Sequence, residues 1–99
     1  MRGYHIALLY GMSTIYFRRT DLAKSSFYLE QMSAQMQRNQ NKHFSLWEAR
    51  YASLLALNRN YSGNYDEAAL SLERRLKQEA LNEQERLLLE LTLSMVYFQ

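Results

Sequence analysis

A chain of 99 residues with no proline and only three glycines has few places where a helix must stop. Leu, Ala, Met, Gln, Glu and Arg are abundant, and these side chains sit well in helices. Long helices joined by a few turns are the expected architecture, and a many-turned β fold is disfavoured. The length suits one domain with one continuous core. Apolar residues make up 47% and recur along the whole chain, which argues against disorder.

The periodicity predicts five helices. The first covers about Tyr4 to Arg18, with Ile6, Leu9, Met12, Ser13, Tyr16 and Phe17 as its stripe. Arg18 and Arg19 suit the negative dipole end, and Thr20-Asp21 supplies a cap for the next helix. That second helix runs to Arg38 and presents Leu22, Ser25, Tyr28, Leu29, Met32 and Met36. The polar stretch Asn39 to Lys42 ends it. Ser45 to Glu48 reads as a capping box opening a third helix, with Trp47, Tyr51, Leu54, Leu55 and Asn58 on one face. Gly63 is placed for the positive φ of a helix end. Boxes at Asn64 to Glu67 and Asn82 to Glu85 open the fourth and fifth helices. The fourth presents Ala68, Ala69, Leu72 and Leu76. The fifth is apolar on several sides, with Leu87, Leu88, Leu89, Leu91, Leu93, Met95, Val96 and Phe98, and wants packing on two of them. The expected core includes Tyr28, Leu29, Leu55, Ala68 and Leu72.

Two internal similarities organise these helices. Thr20-Asp21-Leu22-Ala23-Lys24-Ser25 resembles Gly63-Asn64-Tyr65-Asp66-Glu67-Ala68, and Ser13 to Phe17 resembles Ser94 to Phe98. Each turn leads into a helix whose early small residue, Ser25 or Ala68, allows close approach of the preceding helix. A single hairpin of this kind cannot bury its faces alone, so neighbours are expected to stack.

The segment from Gly63 to Ala68 resembles the turn of tetratricopeptide repeats, and Thr20 to Ser25 is a weaker version. The resemblance implies an all-α, antiparallel helix-hairpin repeat, a fragment of an α-solenoid. Residues 4–38 would form hairpin 1, residues 43–79 hairpin 2, and residues 83–99 the first helix of a third repeat within one domain, 1–99. The sequence departs from the family in its spacing of 63 − 20 = 43 residues and in lacking the closing proline; Ser13 and Ala56 stand where the family has glycine.

Catalytic and metal motifs are missing from the sequence. His5 and His43 are the only histidines, no cysteine exists, and neither a phosphate loop nor a G-x-S-x-G elbow occurs. We therefore expect no enzyme activity, no metal and no cofactor. No run of about 20 apolar residues exists to span a membrane. The absence of cysteine is compatible with cytoplasm or periplasm alike. The net charge of +2 arises from interleaved acids and bases, a pattern of a solvated surface rather than a nucleic-acid strip. Arg18-Arg19 and Arg74-Arg75 would carry the contrary reading, a helix-turn-helix contact with phosphates.

The expected function is a non-enzymatic scaffold for a protein or peptide, with a sensory or regulatory segment of a bacterial transcription or signalling regulator as the alternative. First helices line the inner surface in the family resembled. That implies a binding face of Tyr10, Thr14, Phe17 and Arg18, continued by Arg50, Ser53, Leu57 and Asn60. The fifth helix is expected to leave Leu88, Leu91, Met95 and Phe98 for a further helix or a second copy, giving a possible homodimer.

Overall fold

The computed structural model describes residues 2–38, 45–78 and 81–97. The described residues are all-helical: α1 (Arg2–Arg18), α2 (Leu22–Arg38), α3 (Ser45–Tyr61), α4 (Tyr65–Leu76) and α5 (Glu83–Tyr97). Residues 39–44, which include most of the expected connection between the hairpins, lie outside this description, as does Phe98.

Two helix ends are built alike. At the end of α1 the Asp21 amide donates to the Tyr16 carbonyl at 2.9 Å and the Thr20 amide to the Phe17 carbonyl at 3.0 Å. At the end of α3 the Asn64 amide donates to Arg59 at 2.8 Å and the Gly63 amide to Asn60 at 3.1 Å. Both are Schellman closures, which require a left-handed residue after the last turn. Gly63 takes that role with φ +90° and Thr20 with φ +60°. The two turns are therefore equivalent at the 43-residue offset.

The caps divide. Asp21 accepts from the Lys24 amide at 3.2 Å, as expected of a cap for α2. Asn82 and Glu85 form the full reciprocal box, at 2.8 and 3.0 Å. The expected box at Asn64 is absent: its side chain makes no cap hydrogen bond, and Asp66 and Glu67 near the positive helix end remain. The Asn64 backbone is already committed to closing α3, with φ −91° and ψ 60°. Glu48, expected to reach back to its own helix start, places its carboxylate 2.9 Å from Arg75 of α4.

Helix α3 is central. It touches every other helix, whereas α5 meets only α3 and α4 among the described residues. Tyr10, midway along α1, meets Trp47 near the start of α3, and Phe17, near the end of α1, meets Tyr61 at the end of α3, so the two helices run in the same direction. Two apolar clusters flank α3. The first holds Ile6, Leu29, Met32, Met36 and Leu54, with Leu9, Tyr10, Phe17, Trp47, Tyr51 and Leu55 around it. The second holds Ala56, Ala68, Leu72, Leu89 and Val96. Of the expected core, Leu29, Ala68 and Leu72 are buried, while Tyr28 and Leu55 are half-buried. Tyr28 stacks on Tyr16 at 5.7 Å, where its ring bridges α2 and α1 near the surface.

The helix crossings use small residues. Ser13 and Ser25 are both fully buried, and each hydroxyl lies within 2.8–2.9 Å of the other's backbone carbonyl. Asn58 of α3 donates to the Ser25 hydroxyl at 3.1 Å and to the Leu54 carbonyl at 3.0 Å. One polar knot thus joins α1, α2 and α3 inside an otherwise apolar contact, with both Asn58 amide hydrogens engaged and its Oδ1 left without a partner among the described residues. At the equivalent crossing of α3 and α4, Ala56 and Ala68 replace the serines and are fully buried.

Asn60 goes further than Asn58, Glu85 and Arg75, each of which leaves one buried polar atom without a partner among the described residues. It is 1% exposed, and neither side-chain amide atom has a hydrogen-bond partner among the described residues. Burying such an amide without a partner costs about 1–3 kcal/mol. Asn60→Leu keeps the shape and removes the polar atoms. We expect it to stabilise the chain by about 1 kcal/mol, a rise in melting temperature of roughly 4–8 °C. A melting temperature that falls would show that the amide is engaged.

Candidate functional site

The seam between α1 and α3 collects most of the residues expected to bind a partner. Tyr10 of α1 is half-buried and set edge-on to Trp47 at 5.9 Å. Arg50, one turn after Trp47, lies with its guanidinium 4.7 Å from the centre of the same indole ring. Two turns further along α1, Phe17 sits edge-on to Tyr61 at 5.4 Å. Thr14 lies between these stations, its hydroxyl donating to the Tyr10 carbonyl at 2.9 Å. Leu57 is half-buried on α3.

Phe17, Arg18, Thr20, Leu22 and Tyr61 line a cavity of about 360 Å³ at the end of the seam. Its shape follows from the turn. The Schellman closure swings α2 back along α1, so Leu22 at the start of α2 lines the cavity together with Phe17 and Tyr61. Arg18 is exposed at the rim, and Tyr61 is 60% exposed. Thr20, in the cavity wall, holds a positive φ that a β-branched residue rarely adopts.

Two expected members of the face are elsewhere. Ser53 is 6% exposed and its hydroxyl is 2.5 Å from that of Thr92 in α5. Asn60 is buried, as described above. Both are withdrawn from the surface because α4 and α5 cover that side of α3, a consequence of α3 being flanked on both sides. The seam therefore carries Tyr10, Thr14, Phe17, Arg18, Arg50 and Leu57 from the expected set, and it adds Trp47, Leu22 and Tyr61. The helical stripe of α3 includes Trp47 without marking it as a binding residue, and nothing in the sequence pattern singles out Tyr61.

A second depression of about 240 Å³ lies between α2 and α3, with Glu30, Tyr51, Asn58 and Arg59 in its walls. The sequence signal for it was Asn58, a polar residue within an apolar stripe. Arg74 is exposed, and Arg75 is paired with Glu48, so the second basic pair is partly spoken for. On α5 the Tyr97 hydroxyl donates to Glu73, which pushes the phenol above its ordinary range through that hydrogen bond first, with desolvation and the neighbouring charge adding to it. Among the described residues no helix is long and apolar enough to cross a membrane.

Comparison with protein-family models, with curated proteins and with solved structures finds no match to the chain.

Proposed function

We propose that the chain is a non-enzymatic helical-hairpin module, resembling tetratricopeptide repeats, that binds an extended acidic peptide segment along the α1–α3 seam. The observation that carries this reading is the pairing of an aromatic cluster with an arginine at each end of the seam: Tyr10, Trp47 and Arg50 at one, Phe17, Tyr61 and Arg18 at the other. Seven residues separate Tyr10 from Phe17 (17 − 10 = 7), which is about 10 Å along a helix. Three residues of extended peptide span about the same distance. An apolar side chain in the 360 Å³ cavity and a second against Trp47 would be anchors three apart. Carboxylates beside them would meet the two guanidinium groups. The equivalent Schellman turns and the small-residue crossings support the repeat resemblance.

Trp47 is the only tryptophan, so its emission reports occupancy directly. Titration with a library of acidic peptides bearing two apolar residues three apart should change that emission, and matched basic peptides should not. Arg18→Ala and Arg50→Ala should each weaken binding about tenfold, equivalent to about 1.4 kcal/mol. Equal binding of acidic and basic peptides, or wild-type affinity in both variants, would refute the assignment.

A further inference from the structure

Two exposed apolar faces stand at opposite ends of the helix stack. On α1, Leu8 and Ile15 are 51% and 49% exposed. On α5, Leu87 and Leu91 are 56% and 57% exposed, with Ser94 on the same stripe. Helix α5 makes no contact with α1 or α2, so the two faces are separated by the body of the molecule.

The internal register says what each face is shaped to meet. The 43-residue offset sets Leu8 against Tyr51 and Ile15 against Asn58. On α3 those positions face the preceding hairpin: Tyr51 packs on the first cluster, and Asn58 bonds to Ser25. The match of Ser94 to Phe98 with Ser13 to Phe17 places α5 at an offset of 94 − 56 = 38 residues from α3. Leu87, Leu91 and Ser94 then correspond to Ala49, Ser53 and Ala56, which are buried on the side of α3 that carries α4 and α5. One end of the stack thus exposes the positions that receive a preceding helix, and the other exposes those that receive a following one.

The two faces also carry charge of opposite sign, although this register sets Glu83 and Glu90 level with residues 2 and 9 of α1 and not with Arg18 and Arg19. Helix α1 contains no carboxylate, and Arg18 and Arg19 are exposed close to Ile15. On α5, exposed Glu83 and Glu90 flank Leu87 around a depression of about 400 Å³. Arg86, the one cation lining that depression among the described residues, donates to the Leu76 carbonyl at 3.3 Å and is drawn toward the chain's own α4 end.

We infer that copies of this chain associate head to tail, the acidic apolar face of α5 in one copy seating on the basic apolar face of α1 in the next. An interface between two different faces does not close on itself, so it extends beyond dimers unless one face is blocked.

Sedimentation velocity on the 99-residue chain tests this with two variants at exposed positions, Leu91→Arg on α5 and Ile15→Glu on α1. Circular dichroism melts should match the wild type, because neither side chain is in a core cluster. Wild-type chain should grow with concentration through dimers to longer species. Each variant alone should be monomeric, with association weakened at least tenfold. Mixed one to one, they should form a single heterodimer and nothing larger, since each supplies the face the other lacks. A wild-type monomer at high micromolar concentration would overturn the inference. So would dimers in Ile15→Glu alone, which would mark a symmetric α5–α5 contact, or a mixture that stays monomeric.

Discussion

Ala68→Trp should destabilise the chain by about 1–3 kcal/mol or more, with the melting temperature falling by at least several degrees. Ala68 has no exposed surface and lies in the second cluster with Ala56, Leu72, Leu89 and Val96. A methyl group at this crossing is what lets α3 and α4 approach. An indole there must displace helices, because interiors are packed too densely to absorb that volume. Leu70→Trp, two residues on and 48% exposed, is the control and should melt within about 0.5 kcal/mol of the wild type. Equal melting of Ala68→Trp and wild type would mean that the crossing is not where the 43-residue register puts it.

That register was legible because it rests on local chemistry. Schellman turns need a residue tolerant of positive φ and a specific spacing before the next helix, and Gly63-Asn64 advertises both. Thr20 does not advertise it; only similarity to the later turn pointed there, and the structure confirms the shared geometry at φ +60°. The box at Asn82 was legible for the same local reason. The identical-looking box at Asn64 failed because its backbone had a prior obligation to α3, a competition that a four-residue window does not contain.

The proposed binding face was only partly legible. Position on a first helix places Tyr10, Phe17 and Arg50 on the seam, but the depth of each residue depends on how many neighbours α3 has. Ser53 and Asn60 were lost to burial by α4 and α5. On α5 the expected exposed stripe of Leu88, Leu91, Met95 and Phe98 is shifted. Leu91 and Met95 are exposed, Leu88 is half-buried, Leu87 takes its place, and Phe98 lies outside the described residues. A helix apolar on several sides does not announce its rotation, and here the polar partners decide it. Glu85 at the cap and Thr92 against Ser53 are both buried, and they turn the Leu89 face inward.

Leu89→Ala should cost about 2–5 kcal/mol, and the loss should be local. Leu89 is fully buried in the second cluster. Among the described residues none belongs to both clusters; α3 supplies Leu54 to the first and Ala56 to the second. The first cluster is further fastened by the knot of Ser13, Ser25 and Asn58, which involves neither α4 nor α5. Stability in such an arrangement is close to a sum of neighbouring contacts, so one end can open while the other stays folded. A domain of this size holds roughly 5–15 kcal/mol in total, and a loss of 2–5 at one end is enough to separate the two. Amide hydrogen exchange on Leu89→Ala should therefore show protection falling in α4 and α5 and persisting in α1 and α2. Trp47 packs against the first cluster, so its fluorescence should melt later than the far-ultraviolet circular dichroism in this variant, while both coincide in the wild type. Leu29→Ala, fully inside the first cluster at 1% exposure, should invert the order. If protection instead falls uniformly through all five helices in both variants, α3 couples the two clusters into one cooperative unit and the nearest-neighbour account of this fold is wrong.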